Sequence, residues 1–265
     1  MLKNSFGLSR NIPAEIKREI RKNSGFGCVI CCSSIWQYEH IDPPFAQARS
    51  HDPNKMTLLC PTHHQQTTSR LLSKATVEKA RLSPCTSKKG FSSSSFDFAD
   101  QIPSMTFAGE VIKNCQTPVI VDGSPLFEVK PGEESGAPFR LSGDFYDANG
   151  NLILQIIDNE WRIITKNSWD ANVEGQEITI KDDKKRIVLQ IIADAPKGLI
   201  IKRINMYTKN LFITGNSKKL FVKRKDGEML DLSNKIGSGI NINSQDLNVT
   251  KTKKQSPPTR GHSPF

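Results

Sequence analysis

Two short spacings carry the first chemistry of this chain, Cys28-Val29-Ile30-Cys31 and Cys60-Pro61-Thr62-His63. A two-residue spacer lets two side chains converge on one tetrahedral ion, with Zn–S at roughly 2.3 Å and Zn–N at roughly 2.0 Å. Two such pairs separated by a hairpin-length segment predict a closed structural zinc site made by Cys28, Cys31, Cys60 and His63. Cys32 directly follows a ligand and could replace Cys31 in a register one residue longer; in the shorter register it is a bystander. Cys85 and Cys115 lack nearby partners and read as buried free thiols. Of six cysteines, four lie among histidines before residue 65, and with no export signal that clustering favours metal over disulfides. Between the half-sites stands Glu39-His40, and the second half-site runs straight into His64. A neutral imidazole such as His40 can take a proton from water. His63 and His64 would lie about 100° apart on a helix, so that one can face the zinc and the other a cleft.

The flanking elements must hold these groups. Pro13 to Lys22 reads as a short helix, with Pro13 where a first turn tolerates it, Gly25 just past the end, and Ile16 and Ile20 on one face. Leu71 to Arg81 is also helical in character, with Leu72, Val77 and Ala80 spaced for one side and Pro84 closing the unit. Thr86 to Ser95 is rich in Ser, Lys and Gly and predicts a flexible linker. The expected organisation is a zinc module over 1–86, a linker over 87–96, a β-rich domain over 97–233 and a disordered basic tail over 234–265. In the β-rich part, Asn149-Gly150 between apolar runs predicts a hairpin. Leu154-Gln155-Ile156-Ile157 recurs as Leu189-Gln190-Ile191-Ile192. A sandwich or barrel is the default reading, with a β-solenoid as the alternative. The fold class expected is α+β.

In order along the chain, Cys28/Cys31, Glu39-His40-Ile41, Leu58-Leu59-Cys60 and His63-His64 resemble the HNH endonuclease family. The likeness covers about the first 85 residues. It implies two strands and a helix around a metal, His40 as general base, and His64 with Glu39 as ligands of a catalytic divalent cation such as Mg2+. The family's asparagine, which orients the base, falls at Lys55 by spacing. Asn54 stands one residue earlier and is taken here as the catalytic candidate, His51 is another substitute, and Lys55 in that place could contact phosphate.

The formal charge is +10, and residues 1–90 hold 14 Lys+Arg against 6 Asp+Glu. A basic front on a nearly neutral body predicts a polyanionic partner, DNA, met without sequence reading by Arg18, Arg21, Lys22, Lys55 and Arg70. No run approaches the roughly 18 apolar residues of a membrane span, and the start lacks the apolar stretch of a secretory signal, so a cytoplasmic protein is expected. The leading expectation is a metal-dependent DNA endonuclease of bacterial restriction or anti-phage defence, whose β-rich domain meets a target, a protein partner or an activating ligand. A non-catalytic zinc-dependent DNA-binding or adaptor protein is the alternative, and an interaction protein dominated by its β domain the third. The residues carry no signal of oligomeric state.

Overall fold

A computed structural model describes residues 3–99, 101–134, 136–237 and 239–252. The fold is mixed and mostly β. Two compact units divide it: Met1–Ser94 with Arg162–Val173, and Ser95–Trp161 with Glu174–Phe265.

In the first unit, helix α1 (Ala14–Asn23) starts after Pro13, whose missing N–H costs nothing there, and carries Arg21 and Lys22 in its last turn. Just past its end, Gly25 has φ +62, and a Cβ at that position would strike the Thr86 side chain. Strands β1 (Gln37–His40) and β2 (Met56–Leu59) pair antiparallel, with His40 opposite Met56. Helix α2 (Pro61–Thr68) follows β2 at once, and the Cys60 thiol caps it by accepting from the His63 N–H. Helices α3 (Lys74–Leu82) and α4 (Cys85–Lys89) complete the set.

All four residues of β2 are buried, because both faces of the strand are covered. Met56 and Leu58 pack with Ile12 and Ile20, whereas Leu59 packs with Cys28, Val29, Ile41, Cys60 and Val77. Alternation along the strand assigns the two faces to two small cores. Leu72 and Ala80 pack against the second of these. The returning segment is tied in by charge: Arg21 Nε and Nη2 donate to Asp170 at 2.9 and 2.7 Å, and Arg21 Nη1 donates to the Tyr38 hydroxyl at 2.7 Å. The Arg18 guanidinium lies 3.4 Å from the centre of the Trp169 ring.

The second unit is built on antiparallel strands. One sheet runs through 177–181, 187–194, 198–208, 211–216, 220–224 and 229–231, with 104–107 parallel to 198–201. The other places 240–243 parallel to 119–121, followed by 124–130, 140–146 and 152–157. Val119 and Phe127 of one sheet and Ile204, Ile213 and Val222 of the other line a common small cavity. The sheets are not closed into a barrel, and consecutive strands pair as neighbours rather than stacking as solenoid coils. The repeated Leu-Gln-Ile-Ile run falls on strands of the two different sheets. The Asn149-Gly150 hairpin is present: Asp147 Oδ1 accepts from the N–H groups of Asn149 and Asn151, and Gly150 has φ +85.

Two expectations are corrected. The Ser/Lys/Gly stretch is ordered as α4 and a strand over 91–95, because Ser92 is buried against Ser34 and Thr86 bonds the Ser24 carbonyl. The segment from 234 includes strands 240–243 and 248–251, where Ile240 and Ile242 are buried; residues 253–265 of the expected tail lie outside the described residues. Among the described residues, no helix is long and apolar enough to cross a membrane.

Candidate functional site

The chain turns sharply at the first half-site: Cys28 N–H bonds the Ser33 carbonyl, Cys32 N–H bonds the Cys28 carbonyl, and Val29 N–H ties the turn to Leu58 of β2. The second half-site sits at the β2–α2 junction. Cys28 Sγ and Cys60 Sγ lie 3.4 and 3.1 Å from His63 Nδ1, and Cys31 Sγ lies 3.7 Å from Cys60 Sγ. The ligand atoms of Cys28, Cys31, Cys60 and His63 all fall within 4.8 Å of one another. A tetrahedron with zinc-like bond lengths has S–S edges of roughly 3.8 Å and S–N edges of roughly 3.5 Å, so these four residues could hold a metal ion such as zinc. Burial pushes the Cys28 thiol up to about 12 and raises the Cys31 thiol as well. A cation entering here must therefore displace protons. Cys32 is not part of the cluster. Its Cα lies 5.7 Å from that of Cys85, and the two are joined as a disulfide, which replaces the expectation of a bystander and a free thiol. Fifty-three residues separate them, so no local spacing signals the pair.

His40 ends β1, half-buried, with its ring 5.4 Å from that of Phe45 and 5.2 Å from that of His51. Its Nε2 lies 3.1 Å from His51 Nδ1. Burial, with the nearby His51, Lys74 and Arg10 charges, lowers its pKa to about 4, which leaves the ring neutral at physiological pH. The imidazole opens on a cleft of about 320 Å3 whose lining includes Gln47, Arg49, Asp52 and Lys55. Arg10 lies over Phe45 at the same place.

Glu39 does not line that cleft. Successive strand residues point to opposite faces, and Glu39 turns toward α2 and α3. Its Oε2 is 3.0 Å from His64 Nε2, and its Oε1 accepts from Lys74 Nζ, which also donates to the His40 carbonyl at 2.6 Å. A separation of 3.0 Å suits a hydrogen bond and equally the cis edge of an octahedral ion with bonds of roughly 2.1 Å.

The remaining named residues scatter. Asn54 is exposed, and its N–H bonds Asp52; His51, not Asn54, stands beside the His40 ring. Lys55 lies in the cleft wall, and Lys22 and Arg70 are exposed. Arg21 is buried on Asp170 and Arg18 lies on Trp169, which commits both to holding the returning segment. Reading by spacing passed over Arg10, Arg49 and Lys74. Each is an ordinary basic residue outside the motifs, and only the fold brings it to the cluster.

The chain matches no protein-family model, no curated protein and no solved structure.

Proposed function

We propose that the first unit is an HNH-type endonuclease that hydrolyses DNA phosphodiester bonds, with zinc held by Cys28, Cys31, Cys60 and His63 and with Mg2+ or another divalent cation held by Glu39 and His64. The observation that carries this reading is His40: a neutral, half-buried imidazole at a strand end, opening on a cleft edged by Arg49 and Lys55. Further support comes from the order of two antiparallel strands and a helix, with the zinc-type cluster at the strand–helix junction.

In this reading His40 takes a proton from a water as its oxygen forms a bond to phosphorus, and the bond from phosphorus to the 3′ oxygen breaks, the oxygen leaving with the electron pair and taking a proton from solvent. Arg49 and Lys55 hold phosphate oxygens without reading bases, so affinity falls steeply with salt. Glu39 and His64, which face α2 and α3 rather than the Arg49–Lys55 cleft, would hold a divalent cation whose positive charge would reach a phosphate lying across the end of β1. The second unit recognises a target, a protein partner or an activating ligand, and the combination fits a cytoplasmic effector of restriction or anti-phage defence, by analogy alone.

A second reading, a non-catalytic zinc-dependent DNA-binding adaptor, is favoured by one observation. The Lys74 ammonium already partners the carboxylate assigned to the divalent cation. Incubation of supercoiled plasmid with the protein in Mg2+, Mn2+ or Ni2+ separates the two. Nicking or linearisation that disappears in His40→Ala while DNA binding persists supports the nuclease. Binding without cleavage in every metal supports the adaptor.

A further inference from the structure

His40 belongs to a chain of three groups whose donors and acceptors are set from one end. At that end stands the Ser9 carbonyl oxygen, which can only accept. His51 Nε2 lies 2.8 Å from it and therefore carries the proton. An imidazole with one ring proton keeps the lone pair on its other nitrogen, so His51 in that form accepts at Nδ1 and His40 Nε2 at 3.1 Å donates to it. His40 Nδ1 is thereby the free acceptor. His51 is buried, so water does not compete for either of its nitrogens.

The Ser9 carbonyl is itself held in place. Asn4 Oδ1 accepts from the N–H groups of Phe6 and Leu8, and Asn4 Nδ2 donates to the carbonyls of Phe45 and Ala48 at 2.6 and 2.7 Å. Arg10 covers the Phe45 ring at 4.6 Å and Arg49 covers Phe6 at the same distance. The segment from Asn4 to Arg10 is clamped to the loop that follows β1, and Ser9 is fixed with it.

We infer that the Ser9 carbonyl and His51 form a relay that locks His40 as the Nε2–H tautomer and presents its Nδ1 to the substrate side. His51 is a positioning residue, and it takes the part that spacing assigns to an asparagine. The reason an asparagine and a histidine can exchange here is geometric: Asn Oδ1 and His Nδ1 stand the same number of bonds from Cβ, and both accept. When His40 receives a proton on Nδ1, the Nε2–H already points at the His51 lone pair, so the charged ring forms without reorganisation. The bearing on cleavage rests on the nuclease reading above; the tautomer does not.

Histidine 15N spectra of the whole 265-residue chain, loaded with zinc, at neutral pH test the relay. The wild type is expected to show His40 with a lone pair at Nδ1 and a proton at Nε2. His51→Asn is expected to keep that tautomer and to cleave plasmid within a few-fold of wild type. His51→Ala is expected to mix the tautomers and to lower cleavage on the order of 10- to 100-fold, the usual loss when an orienting partner is removed. A wild-type His40 protonated at Nδ1 overturns the relay. So does a His51→Ala protein that retains zinc and dispersed methyl signals with tautomer and cleavage unchanged. If His51→Ala does not fold, the wild-type tautomer and the His51→Asn comparison decide. The expected tautomers in a protein that cuts no DNA with any metal support the relay and overturn the nuclease reading instead.

Discussion

At the scale of single residues, the position of Lys74 makes a definite demand on any divalent cation. Its ammonium partners Glu39 Oε1 and the His40 carbonyl, so an ion arriving at Glu39 and His64 meets a positive charge within a few ångströms. Lys74→Met removes that repulsion and leaves the stem to pack, and the half-saturating divalent concentration should fall by roughly 10-fold, given ordinary Coulomb energies at a partly solvated site. Isothermal titration of the zinc-loaded protein with Mn2+ measures this. An unchanged midpoint would place the cation elsewhere. His40 makes a second prediction. Its ordinary value is 6.5 and its folded value about 4. Between them the unfolded chain binds a proton that the folded ring refuses, so stability falls as pH drops through that window and is constant for this group above it. Denaturant midpoints at pH 7 and pH 5 should therefore differ less in His40→Gln than in wild type.

At the scale of elements, α1 is held by the pair of Arg21 and Asp170. Both side chains are under a tenth exposed and their fork-to-carboxylate geometry is bidentate. Breaking such a pair leaves a buried charge alone, at a cost of about 3–5 kcal/mol, whereas replacing both partners with apolar groups is often neutral. Arg21→Met and Asp170→Leu should each lower the unfolding free energy by about that amount in urea, and the double variant should recover most of it. Strict additivity of the two losses would show that the pair is not coupled in the fold. The same pair explains why charge read along a helix misleads. Arg21 and Lys22 are equally basic in sequence, yet one turns inward to a carboxylate 149 residues away and the other stays exposed.

At the scale of the molecule, removal of the metal should act unequally. With the Cys28–His63 cluster emptied by a strong chelator, methyl signals of Ile20 and Leu58 should collapse while those of Ile213 and Val222 persist, because the cores on the two faces of β2 are small and the second unit has its own. Simultaneous loss of all four would contradict the division. What the chain reveals beforehand follows physical range. Cys28, Cys31, Cys60 and His63 are legible because two-residue spacings are local, and the Asn149-Gly150 hairpin is legible because positive φ at glycine is local. The partnership of Cys32 with Cys85 and of Asp170 with Arg21 depends on long-range closure, which periodicity does not encode, whereas His51, eleven residues from His40, is already a candidate for the asparagine's part. Ser92 to Ser95 misled for a related reason: a run of small polar residues suits a linker, but it also suits a strand, here one whose buried Ser92 hydroxyl meets that of Ser34.

The return of Arg162–Val173 to the first unit has a temporal side. A ribosome releases residues in order, so the emerging chain holds its zinc-type ligands and His40 long before Asp170 exists to neutralise Arg21. The unit remains unfinished until Arg162–Val173 has been made.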